Sequence, residues 1–181
     1  APAQLEFELL KKELLGVVDN EEYNLNMYAD FYYAYCAALL DQADAELLFT
    51  RFIEAYHHST LRNKAYFELG SYYFRKNKTI EALEWYEKVD TKELTNDELV
   101  EYKFNFAYVY FKRKKFDEAK PLFKAIKDAK HQYSDPAKYY YGFISFYEEN
   151  YKEAESNFLD LKDSKLYKDA IPYYLTQIYF L

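Results

Sequence analysis

The sequence predicts an all-α fold, a solenoid of stacked helical hairpins, and three observations carry the prediction. The first is a period. Ala45, Phe49 and Phe52 recur as Ala82, Tyr86 and Val89, then Ala119, Phe123 and Ile126, then Ala154, Phe158 and Leu161, with alanine steps of 37, 37 and 35 residues. A period of this length, carrying a small residue, an aromatic and an aliphatic in fixed register, marks a helical repeat array. The second is a set of small residues, Gly70, Ala107 and Gly142, on the segment preceding three of those motifs. Glycine inside a helix costs roughly 0.5–1 kcal/mol relative to alanine, so its presence at two equivalent positions predicts a close approach of neighbouring groups. The third is composition: half of the 181 residues are hydrophobic and only 3 Gly and 4 Pro occur, which favours compact helix over disorder.

Taken in order, residues 1–22 read as an N-terminal amphipathic helix, with Leu5, Leu9, Leu10, Leu14 and Leu15 on one face. It is either a cap or the second helix of a truncated repeat. Asp19–Glu22 is expected as a polar break. Repeat one (23–58) holds a dense aromatic helix through Phe31 and Tyr35, a turn at Asp41–Asp44 one residue shorter than its equivalents, and a second helix running from Ala45 to His57. His57 and His58 fall at that helix end, where cations suit the dipole. Repeat two (59–94) starts with Ser59 or Thr60 as cap. Its turn carries a formal sequon at Asn77, read as polar turn chemistry, and is expected to be loose because Thr79 stands where Phe116 and Tyr151 stand later.

Repeat three (95–133) restarts at the capping box Thr95-Asn96-Asp97-Glu98. Pro121 predicts a late start for its second helix, since proline is tolerated in the first turn only. Ser134-Asp135-Pro136 opens repeat four (134–165), and residues 166–181 repeat a first helix with Pro172 near its start.

At these residues the chain resembles the tetratricopeptide repeat family, in which Leu-Gly-x-x-Tyr marks the first helix and Ala-x-x-x-Phe the second. Here they read Leu69, Gly70, Tyr73, Ala82, Tyr86; then Phe106, Ala107, Tyr110, Ala119, Phe123; then Tyr141, Gly142, Ala154, Phe158. The family tryptophan is replaced by Tyr66, Lys103 and Lys138, and no proline closes a repeat. The resemblance implies a right-handed superhelix of about four hairpins plus flanking helices, with a concave surface lined by first helices. The wording of ADFYYAYCAALL, AYFELGSYYF and ALEWYEKVD is similar to long tetratricopeptide proteins of Gram-negative envelopes. That implies an exported, periplasmic or envelope-associated scaffold, with a cytoplasmic location as the alternative.

Chemistry is sparse. The formal charge is −7 with no clustered basic footprint, which argues against nucleic acid; the run Lys112–Lys115 reads as a solvated turn. Cys36 is alone and reads as a buried structural thiol. There is no HExxH, CxxC or Gly-rich phosphate loop, the three histidines sit near helix ends or loops, and the carboxylates follow helix-surface spacing. We therefore expect no catalysis, metal or cofactor, and no membrane insertion.

Binding is the expected role. The family's partner-facing positions, carried onto this chain, are Phe67, Ser71, Phe74 and Arg75 in repeat two, Phe104, Tyr108, Phe111 and Lys112 in repeat three, and Tyr139, Phe143, Phe146 and Tyr147 in repeat four. They would form an aromatic surface for a protein or peptide, on which Tyr147, Tyr108 and Ser71 are the members expected in solvent. The family's carboxylate clamp is not expected, because Phe67 with Ser71, and Phe104 with Tyr108, occupy its lysine and asparagine positions. Two alternatives stay open: a spacer or self-assembly segment associating through its terminal helices, and a carbohydrate platform of stacked tyrosines.

Overall fold

Four tight reversals set the architecture. In each, a non-glycine residue takes the left-handed conformation: Asp41, Asn77, Lys114 and Glu149, with φ of 56°, 57°, 58° and 61°. Their N–H groups donate to the carbonyls of Ala38, Phe74, Phe111 and Phe146 at 3.3, 2.9, 2.9 and 3.0 Å. The next N–H, on Gln42, Lys78, Lys115 and Asn150, reaches the carbonyl five residues back at 2.8–3.0 Å. This paired closure satisfies carbonyls that a helix end would otherwise leave open. The turn before Thr79 has the same bonds as the others, contrary to the looseness expected of it. The aromatic at that position serves packing, not turn geometry.

The structure is a computed structural model and describes residues 19–181. The reversals join α1 (Asp19–Leu39) to α2 (Ala45–Ala55), α3 (Leu61–Arg75) to α4 (Thr79–Tyr86), α5 (Asn96–Lys112) to α6 (Phe116–Lys124) and α7 (Ser134–Tyr147) to α8 (Tyr151–Asp160). A last helix, α9 (Ile171–Tyr179), follows. A turn of 3-10 helix at Thr91–Glu93 leads to α5, and no strand occurs among the described residues. The described residues fall into two compact units, 19–94 and Thr95–Leu181.

Local sequence explains most helix ends. Thr95 accepts the N–H of Glu98 while Glu98 accepts the N–H of Thr95, so the predicted capping box is formed. Ser59, not Thr60, caps α3, its hydroxyl accepting the Leu61 N–H at 3.0 Å. Three expectations are corrected. Asp19–Glu22 is the first turn of α1, not a break; Asp-Asn-Glu-Glu is a sequence favoured at a helix start. Helix α2 stops at Ala55, leaving His57 and His58 beyond its end. Pro121 lies inside α6, which starts at Phe116 and is not late; the carbonyl four residues back, which a proline nitrogen cannot serve, belongs to exposed Asp117. Cys36 is half-buried. The expected N-terminal helix lies outside the described residues but for residues 19–22.

The repeated motif is the core. Ala45, Phe49, Ala82, Tyr86, Ala119, Phe123, Ala154 and Phe158 are each fully buried. A Cβ on Gly70 would stand 2.6 Å from the Tyr86 ring, and one on Gly142 would stand 2.9 Å from the Phe158 ring. The glycines therefore mark a ring of the second helix lying on the backbone of the first.

Two stability measurements follow from these contacts. Gly70→Ala is expected to lower unfolding free energy by up to about 2 kcal/mol, because overpacking of about 1–3 kcal/mol is offset by only roughly 1 kcal/mol gained in helix propensity. Lys114→Gly is expected to raise it by about 0.5–1 kcal/mol, since left-handed strain of roughly 1–2 kcal/mol outweighs the added freedom of the unfolded chain. Denaturant midpoints check both, and an equal response to the two changes would contradict the geometry.

Candidate functional site

The two units treat the predicted surface positions differently. In the first unit, Phe67 is buried against Tyr86, ring centroids 6.4 Å apart. Ser71, expected in solvent, is 2% exposed and its hydroxyl shares a 3.2 Å hydrogen bond with that of Tyr86. The guanidinium of Arg75 donates to the Ala38 carbonyl at 3.1 Å and so closes the end of α1. Phe74 is half-buried. Three of these four positions thus have structural work inside their own unit.

In the second unit the predicted residues meet. Phe104, Tyr108 and Phe111 follow one another along α5, with successive centroids 6.3 and 6.4 Å apart. Tyr140, which the sequence reading passed over, connects that row to α7. It lies 5.2 Å from Tyr108 and 4.8 Å from Phe111. Phe143 continues the row 5.3 Å from Phe111, and Tyr147 stands edge-on to Phe116 at 4.9 Å. At the far side Tyr139 stacks on Tyr167 at 4.5 Å, and Phe143 and Phe146 lie edge-on to Tyr174 at 5.9 and 5.5 Å. Apart from Tyr147, which is 66% exposed, these rings are half-buried. Lys112 is exposed at the end of α5.

Edge-to-face pairs of this kind fix ring orientations. Burial, followed by the influence of Tyr108, pushes the Tyr140 hydroxyl well up. Burial and Tyr139 push Tyr167 and Tyr174 up to about 12. The surface therefore offers ring faces and neutral hydroxyls. Tyr140 and Tyr174 were missed because they sit between the family's partner-facing positions; their signal was the unusual run of tyrosine around each first helix.

A polar cluster lies elsewhere in the same unit, around an open cleft of about 500 Å³ lined by Asp117, Lys120, Pro121, Lys124, Tyr141, Glu148 and Glu153. Glu153 on α8 accepts from the hydroxyls of Tyr141 and Ser145 on α7, from Asn150 at 3.0 Å, and from Lys120 on α6 at 3.1 Å. Lys120 also contacts Glu148 at 2.6 Å. Through Glu153 and Lys120 the cluster ties three helices, α6, α7 and α8, together. Burial pushes the Glu153 carboxyl up, but hydrogen bonds from Tyr141, Lys120 and Ser145 outweigh it and hold the group below its usual value.

Among the described residues no three His, Cys, Asp or Glu side chains are grouped to hold a metal ion, and no helix is long and apolar enough to cross a membrane. No protein-family model matches the chain, nor does any curated protein or solved structure.

The Glu153 cluster predicts an acid-side loss of stability. The folded carboxyl takes up its proton at lower pH than the unfolded one, so its contribution is whole above about pH 4.5 and falls as pH drops through the folded value. Glu153→Gln should leave the protein less stable at pH 7 and flatten the decline below pH 5. Chemical denaturation between pH 3 and 7 measures both, and parallel curves for the two proteins would refute the assignment.

Proposed function

We propose that this chain is a non-catalytic scaffold of the tetratricopeptide type that holds a protein or peptide partner on the aromatic surface of its second unit. The observation that carries the reading is the joined row Tyr108, Phe111, Tyr140, Phe143 and Tyr147, drawn from two helices and only partly covered. Large rings with a neutral hydroxyl give contact area at small entropic cost and are enriched at protein interfaces. The absence of a committed charge at these positions points to a partner offering apolar or stackable side chains in an extended or helical segment. The burial of Phe67 and Ser71 supports a surface carried mainly by repeats three and four. An envelope location is part of the same proposal and rests on the sequence resemblance alone.

The carbohydrate reading is less well supported. Sugar rings stack on open aromatic faces, whereas Phe111, Phe143, Phe146 and Tyr174 meet edge-to-face and cover one another. The spacer reading draws on the buried first-unit positions.

A peptide display library and an oligosaccharide array, probed with the chain and with a Tyr108→Ala, Tyr147→Ala double variant, test the reading. Enrichment of aromatic or aliphatic peptides, reduced at least tenfold in the folded double variant, is the expected result. Oligosaccharide binding alone, or peptide binding unchanged in the variant, would overturn it.

A further inference from the structure

The aromatic row of α5 ends on a charge. Phe104, Tyr108 and Lys112 follow one another at intervals of four residues, so they share one face of the helix, and Lys112 is exposed at its end. It is also the first of four consecutive cations, Lys112, Arg113, Lys114 and Lys115, all exposed, that make the reversal from α5 to α6. Both residues that bracket this run belong to the ring cluster. Phe111 and Phe116 lie 5.5 Å apart, and each meets Phe143, at 5.3 and 6.5 Å. Phe116 also meets the exposed Tyr147. The basic turn is therefore continuous with the aromatic surface through its own flanking residues.

Most of this charge is not used inside the protein. Several other lysines are held by carboxylates: Lys76 by Asp41 at 3.1 Å, Lys120 by Glu148 at 2.6 Å, Lys127 by Asp128 at 2.9 Å and Lys138 by Asp160 at 2.9 Å. In the turn, Lys115 reaches Glu118 at 3.8 Å, whereas Lys112, Arg113 and Lys114 form no ion pair among the described residues. The chain has 31 acidic against 24 basic residues, so composition does not supply a surplus of positive charge at this edge. A cation in the last turn suits the helix dipole, but that does not account for the run either. The equivalent reversal after α7 carries Glu148 and Glu149, and the one after α1 carries Asp41.

Resting on the scaffold reading above, we infer that the partner segment is acidic as well as apolar. Its aromatic or aliphatic side chains lie on Tyr108, Phe111, Tyr140 and Phe143, and a carboxylate beside them is received by Lys112, with Arg113 and Lys114 attracting it over a longer range. The lysine ammonium is a compact charge on a flexible stem with three donors, so it selects an acidic side chain without demanding one geometry. Charges at the rim of an interface act mainly on encounter and specificity. The rings therefore hold the segment and the basic turn orients it, with its acidic end toward the α5–α6 reversal. Because the rings other than Tyr147 are half-buried, a peptide fits this surface better than an anionic lipid bilayer does.

Selection of a random peptide display library on the parent chain, followed by anisotropy titration of the enriched peptides, tests the inference. The variants are Lys112→Glu with Arg113→Glu, and Lys112→Gln with Arg113→Gln, each verified as folded by a thermal melt. Enriched peptides are expected to carry Asp or Glu next to their apolar positions. Their affinity should fall at least about tenfold in the charge-reversed variant and less in the neutral one. It should also fall when salt is raised from about 0.1 to about 1 M, which cuts the screening length from about 10 to about 3 Å. Peptides with Lys in place of the acids should show the opposite order and bind the reversed variant more tightly than the parent. Apolar peptides without acidic preference, bound equally by the parent and the reversed variant, would overturn the inference and leave the aromatic surface standing. No peptide enrichment, or binding of phosphatidylserine vesicles in its place, would overturn both.

Discussion

The contact on which the rest of the structure depends is the seat of one aromatic ring on one helix backbone. Where Tyr86 lies on Gly70 and Phe158 on Gly142, the two helices of a hairpin are closer than a methyl group would permit. That proximity brings Leu69 and Tyr141 into the fully covered interior. Burying the alanine of the second helix completes the joint: Ala82 and Ala154 have no exposed surface. At the equivalent joint of α5 and α6, Ala107 and Phe123 belong to one core cluster with Ala119. A hairpin built this way is covered only on its inner side. Its outer apolar groups are left for the next helix, which is why Ile126 is buried with Ala137 of α7 and Leu161 with Ile171 of α9.

That joint was legible in the sequence because it needs particular residue types at fixed spacing. Small, aromatic and aliphatic positions recur with the hairpin, and the capping box at Thr95 is a local motif with its own mechanism. The turns were not legible for the opposite reason. A left-handed residue after a helix is ordinarily glycine, and here it is Asp41, Asn77, Lys114 and Glu149. Asn77 and Asp41 are residue types that tolerate the conformation, but nothing in the side chains of Lys114 and Glu149 announces it; there the hydrogen bonds that close the helix end impose it. Pro121 misled in a related way. Local sterics argue for a helix boundary, but the loss of one hydrogen bond from an exposed carbonyl is small beside the burial of Ala119 and Phe123 on the same helix.

The candidate surface was half legible. Position within the repeat indicates which residues lie on a first helix, but whether such a residue is covered depends on what stands opposite. In the first unit the helix opposite carries Tyr86, whose hydroxyl engages Ser71. In the second unit the equivalent rings are Phe123 and Phe158, which have no hydroxyl, and the positions equivalent to Ser71 are Tyr108 and Phe143. Those bulky rings turn instead toward Phe111, Tyr140 and Tyr174. A small serine bonded to a tyrosine hydroxyl thus stays in the core, whereas two bulky rings at the same position pack outward on other rings.

The polar cluster around Glu153 shows how the second unit retains fixed geometry beneath that surface. Rings that pack on one another have many arrangements of similar energy, and apolar contact alone discriminates weakly among them. A carboxylate with four donors has one arrangement that satisfies them all. Because Tyr141 and Ser145 belong to the same helix as Tyr140 and Phe143, anchoring them to Glu153 fixes the rotation of α7 about its axis. The aromatic row of α7 inherits that rotation, so the surface is organised from its opposite side by a cluster that never touches it.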